Sequence, residues 1–97
     1  MNIQAMMKQA QKLQKDMMDA KEKIDESVFE GSSSIVTVKM KGTKELINVN
    51  ITETVDMEDK EMLEDMIVVA INDAMKKIDK EVEDKLGKYT QGMPGLF

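Results

Sequence analysis

The sequence predicts an α+β chain: a long N-terminal helix, a small antiparallel sheet of two or three strands, and a long C-terminal helix. Three changes of hydrophobic period carry this reading. Apolar residues first recur at steps of three and four, then alternate with period 2, then return to helical spacing.

In the first segment the apolar positions are Ile3, Met6, Ala10, Leu13, Met17, Ala20 and Ile24. Their strict alternation of steps is a heptad a/d seam over three heptads, uninterrupted by Pro or Gly. A helix of about 24 residues is about 36 Å long at 1.5 Å per residue. That exceeds what a 97-residue globule covers, so part of the helix should project or meet a partner.

In the middle, Ile35–Lys41 places Val36, Val38 and Met40 on one face, and Leu46–Thr52 places Ile47, Val49 and Ile51 together. Gly42-Thr43-Lys44-Glu45 is the turn between them, and the pair reads as a hairpin. Val28-Phe29 can add a short third strand ahead of a flexible Gly31–Ser34 turn.

Asp56 followed by Asp59 looks like a helix N-cap with an acidic third residue, and Glu58 and Glu61 suit the positive end of a helix. The second helix should run from about Met57 to Leu86, with Gly87 as its stop. Its middle, Met66–Ile71, is apolar on almost every side and predicts burial all round. Residues 1–88 form a single domain on this reading, and 89–97 a flexible C-terminal tail with Gly92, Pro94 and Gly95. Met6, Met17, Met62, Met66 and Met75, among 11 Met in all, fall at core-like helical spacing.

Such a unit makes only a small core by itself. The seam of the first helix, the apolar middle of the second and the open hairpin edges all ask for a partner. A homodimer is the expectation, with an interface built from the sheet and the middle of the second helix.

Composition narrows the function. The chain has no Cys and no His, which removes thiol nucleophiles, Cys-ligated metals and the commonest general base. No Asp/Gly loop of the EF-hand kind is present. The expectation is a non-enzyme without metal, cofactor or small-molecule substrate. No apolar run approaches the roughly 20 residues of a membrane span, so no membrane partner is expected. The start of the chain is amphipathic and unlike a signal peptide, which places the protein in the cytoplasm.

The net charge of −5 argues against a surface that is basic throughout, but the charge is uneven. Residues 1–15 carry Lys8, Lys12 and Lys15 and no acid, whereas residues 46–75 carry eight acids and one Lys. On a helix those three lysines fall within about 60° of one another, nearly opposite the a/d seam. A helix N-terminus and three ammonium groups at one end are suited to receive phosphate. A solvated helix face accounts for the same pattern equally well. Lys76, Lys77 and Lys80 lie off the apolar stripe of the second helix and read first as a solvated face. A carboxylate pair such as Glu61 and Asp65 has no companion base, nucleophile or metal.

Four motifs resemble the YbaB/EbfC nucleoid-associated family. Met7-Lys8-Gln9-Ala10-Gln11 with Gln14 is similar to its opening M-K-Q-A-Q stretch, and Val36–Gly42 to its V-x-V-K-M-K-G strand. Asp59–Ile67 with Ala70–Ala74 resembles its D-K-E-M-L-E-D helix ending in N-D-A, and Gly92–Phe97 its ending. The chain departs from the pattern in carrying no Arg and no Gly-rich stretch before the first motif. The resemblance implies a bacterial, nucleoid-associated protein that binds double-stranded DNA as a tweezer-like homodimer with projecting helices. It places the DNA contacts at Lys8, Lys12 and Lys15, with Lys76, Lys77 and Lys80 after the N-D-A motif. The competing reading is a prefoldin-like helix–hairpin–helix chaperone or protein-interaction module.

Overall fold

A computed structural model describes residues 2–90. The order is α1 (Ile3–Glu26), β1 (Val28–Ser33), β2 (Val36–Lys41), β3 (Leu46–Ile51), a 3-10 turn (Met57–Asp59) and α2 (Lys60–Thr90). The three strands form one antiparallel sheet in the order β1-β2-β3. The molecule is elongated, 71 × 21 × 15 Å.

Helix α2 packs across β1 and β2 on one face of the sheet. That face carries Val36, Val38 and Met40 from β2, all buried, as their alternation predicts. The register sets Phe29 opposite Met40 and Gly31 opposite Val38, so β1 presents Phe29 and Gly31 to the helix. From α2 come Ala70, Ala74 and Ile78, also buried. The fit between β1 and α2 depends on small residues. A Cβ on Gly31 would fall on the Ala70 carbonyl and against the Ala74 amide and methyl group. A second close approach occurs at Gly42, where a Cβ would strike the Ile24 carbonyl at the end of α1.

Strand β1 is longer than the sequence suggests. It continues through Gly31 and Ser32 to Ser33, where a flexible turn is expected, and the chain reverses only at Ser34 (φ 51°) and Ile35. The reason lies more than 40 residues away. The Asp73 carboxylate accepts the Ser32 amide at 3.0 Å, and the Lys77 ammonium donates to the Glu30 carbonyl at 2.8 Å. These two α2 side chains, themselves 3.6 Å apart, close the outer edge of β1. The Ser32 amide holds the Asp73 carboxyl below its ordinary pKa against the opposing effect of desolvation, and Lys77 and Lys76 add to the lowering.

Several further expectations are corrected. Asp56 makes no side-chain cap; its backbone carbonyl instead accepts the Asp59 amide in the 3-10 turn that precedes α2. Gly87 does not stop α2, which runs through Tyr89 to Thr90. An isolated Gly costs a helix only about 1 kcal/mol, so Gly87 alone does not end it. The expected tail therefore starts inside α2, and its residues 91–97 lie outside the described residues. The middle of α2 is not buried on all sides in the single chain, because Val68 and Val69 are more than half exposed. Met6 and Met62 are also exposed, whereas Met17, Met66 and Met75 are half-buried.

Strand β3 extends the apolar face beyond the reach of α2. Val49 pairs with Val38 and Ile51 with Val36, yet Ile47, Val49 and Ile51 are each 40–45% exposed. Helix α1 meets α2 only along its second half. Ile24 is buried and, with Ile78, Val82 and Leu86, lines the cleft between the two helices, while residues 2–15 are exposed throughout.

Two outcomes check this packing. Gly31→Ala should lower stability by about 1–3 kcal/mol in urea denaturation, because the added methyl group overpacks the β1–α2 contact; an unchanged midpoint contradicts it. Asp73, with its pKa depressed on folding, stabilises at neutral pH, and that contribution is lost as pH falls from the unfolded value of about 3.9 through the lower native one. Asp73→Asn should therefore melt below the wild-type protein at pH 7, with the gap closing on acidification. A gap independent of pH contradicts the assignment.

Candidate nucleic-acid interface

Among the described residues, the N-terminal half of α1 is a helical arm exposed along its length. Asn2 caps it, accepting the Ala5 amide on its side-chain oxygen at 3.3 Å. An Asn directly before a periodic apolar run is a helix-start signal, and it is the signal in the sequence that locates this cap. The first turn contains no acidic residue. The remaining amides of that turn have no partner within the helix and leave a partial positive charge at the tip.

Lys8, Lys12 and Lys15 are exposed on one face of this arm and form no ion pair among the described residues. They lie opposite Ile3, Met6, Ala10 and Leu13, so one side of the arm is cationic and the other apolar. Further along α1 the charges change sign. Asp16, Asp19 and Glu22 follow, and Lys21 pairs with Asp25 at 3.0 Å. A positive tip thus leads into an acidic body. With a Debye length of about 8 Å at physiological salt, acids near the far end of the molecule do not cancel the field at the tip.

The other lysines are placed differently. Lys76, Lys77 and Lys80 lie along α2, the first two beside the β1 edge, and the fold does not join them to the α1 tip. The two helices run antiparallel. Lys88 and Tyr89, with Asp16, Asp19 and Glu81, line the cleft at the end of α2. The Lys77 ammonium is engaged with the Glu30 carbonyl and Asp73. Lys76 borders a shallow recess with Ser32, Val69 and Asp73, and Lys80 is exposed. Lys44, at a positive φ of 71° in the β2–β3 turn, is bonded to Asp79 of α2 at 2.9 Å. No helix of the described residues is long and apolar enough to cross a membrane.

Comparisons with known proteins agree with this architecture. The chain resembles the uncharacterized protein HP0035 from Helicobacter pylori, whose crystal structure superposes with a TM-score of 0.73 over 92% of this chain and 97% of that one, at 21% identity. In sequence it is 48% identical to a nucleoid-associated protein of Lactococcus lactis subsp. cremoris, over 97% of this chain and 98% of the relative. It is 47% identical to one of Enterococcus faecalis, over 98% and 94%, and 43% identical to one of Ligilactobacillus salivarius, over 99% and 95%. The model of the YbaB/EbfC DNA-binding family matches residues 1–93. With its family model matched over nearly its whole length and its helix–sheet–helix order in place, the chain belongs to the YbaB/EbfC DNA-binding family.

Proposed function

We propose that this protein is a non-enzymatic, nucleoid-associated protein that binds double-stranded DNA as a homodimer, through the projecting basic tips of α1. The observation that carries the reading is the placement of Lys8, Lys12 and Lys15 on one exposed face of an acid-free helix tip. Family membership supports DNA as the partner and favours this reading over a prefoldin-like chaperone. Lys76 and Lys80 form a secondary contact on α2. Lys77 contributes less, because its ammonium already serves the β1 edge.

The dimer is supported by what the single chain leaves uncovered. Val49 and Ile51, opposite Val38 and Val36, continue the core face of the sheet without a helix over them, and Val68 and Val69 are exposed on the apolar middle of α2. Covering these surfaces with a second copy gives a central body carrying two α1 arms in a tweezer-like arrangement. The acidic segment 46–75 stays in that body, and the arms present their lysines to the duplex. Lysine ammonium groups on a helix face contact phosphates and do not read base edges, so sequence preference should be slight. The protein acts in the cytoplasm, at the nucleoid.

Fluorescence anisotropy with duplex DNA tests the site. Wild-type protein should bind at 50 mM salt with a log K against log salt slope of about −0.9 for each phosphate neutralised. The triple variant Lys8→Glu/Lys12→Glu/Lys15→Glu should lose binding, and single Lys→Gln changes should each flatten the slope by about one. Unchanged affinity in the triple variant overturns the site, and absence of wild-type binding overturns the function. Light scattering at micromolar concentration should give twice the 11.0 kDa chain mass; the monomer mass contradicts the dimer.

A further inference from the structure

The apolar side of the α1 tip is a second surface, distinct from the lysine face. The a/d seam runs the length of α1, but α2 covers only its second half. Ile24 at the covered end is 5% exposed, whereas Ile3, Met6 and Leu13 at the free end are 69%, 55% and 53% exposed. A spacing of 3.5 residues is the signature of packing against another helix. The free seam is continuous with the α1–α2 contact and lacks a covering helix among the described residues.

Two features of the free seam point to its occupant. First, its layers complement themselves. In an antiparallel pair of helices an a position faces a d position. Ile3 then meets the partner's Leu13, and Met6 meets the partner's Ala10, a large residue against a small one. Side by side in parallel, Ala10 would face Ala10 and leave a gap, and the two positive helix ends would be adjacent. Second, the positions flanking the free seam, Met7, Gln9 and Gln14, are uncharged, and all three lysines stand on the outer c and f positions. Nothing repels at the contact. The antiparallel offset also sets the positive N-terminus of each helix beside the partner's Asp16, an attraction that the parallel arrangement lacks.

We propose that the exposed Ile3–Leu13 seam of α1 pairs antiparallel with the same seam of a second copy. The contact is isologous and separate from the body interface proposed above, so it joins arms of different dimers. It leaves Lys8, Lys12 and Lys15 of both copies facing outward on opposite sides of the helix pair, so pairing and phosphate binding are compatible. Four short layers make a weak contact, which engages when arms are held at high local concentration.

The absence of native Cys makes cross-linking clean. The full-length Ile3→Cys and Leu13→Cys variants are each oxidised alone and as an equimolar mixture, without DNA. Antiparallel pairing brings position 3 of one helix level with position 13 of the other, while like positions are about 15 Å apart along the axis at 1.5 Å per residue, beyond disulfide reach. The mixture should give a mixed disulfide several-fold above either variant alone, and Lys12→Cys, on the outer face, should give none. Self-disulfides in the Ile3→Cys variant equal to the mixed product, or no disulfide in any sample, overturn the proposal. So does a mixed product that forms only in chains shortened to end at Thr90, which assigns the seam to residues 91–97. Because DNA is absent, the result is independent of the DNA-binding reading.

Discussion

The close approach of β1 to α2 is the contact on which the rest of the molecule depends. It requires Gly31 on the strand and Ala70 and Ala74 on the helix, since no Cβ fits at the first position and the helix backbone lies against it. That proximity brings Asp73 and Lys77 within reach of the Ser32 amide and the Glu30 carbonyl, closing one edge of the sheet. It also confines α2 to β1 and β2 and leaves β3 bare. One edge is thus engaged by the chain's own side chains, and the exposed apolar residues lie elsewhere, on β3 and at Val68 and Val69. Strand β1 leads into the hairpin and follows α1, so the same contact sets the direction in which α1 leaves the body.

Charge is distributed along this frame with a consistent sense. The tip of α1 combines a helix N-terminus capped by the neutral Asn2 with three lysines, although helix stability alone favours acids there, at up to about 0.3–1 kcal/mol per charge. The cost is small beside the area that holds the body together, and it falls on a segment that contributes no buried residue. Eight of the 19 acids lie in residues 46–75, and none precedes Asp16. A net charge of −5 is therefore compatible with a cationic tip. The opposite, apolar side of the same arm is separated from the lysines by half a helical turn, which allows two different contacts on one short segment.

Local pattern accounts for much of this architecture. The helical run of α1, the in-and-out alternation of β2, and the shared face of the three lysines are legible because each depends on spacing within one element, whereas β3 is exposed at every position. What escapes the sequence depends on distant partners. The polar stretch Glu30–Ser33 has no strand signature, and it is extended because Asp73 and Lys77 bind its backbone from the far side of the chain. Asp56 has the composition of a cap but not its geometry, since a 3-10 turn intervenes. Gly87 resembles a stop, yet α2 continues past it. The exposure of Val68, Val69 and β3 follows from where α2 lies across the sheet, which no periodicity specifies. Among the candidate site residues, the shared helix face of Lys8, Lys12 and Lys15 follows from their spacing, whereas their exposure follows from where α2 ends along α1, and the engagement of Lys77 depends on β1.

The central claim is that duplex DNA is met by the tip of α1. It is tested most directly by titrating isotopically labelled protein with a short duplex and following the backbone amide resonances. Shifts should concentrate in residues 2–15, with those of 53–65 unmoved. Shifts confined to β3 or to the acidic start of α2, with the α1 tip silent, would contradict it.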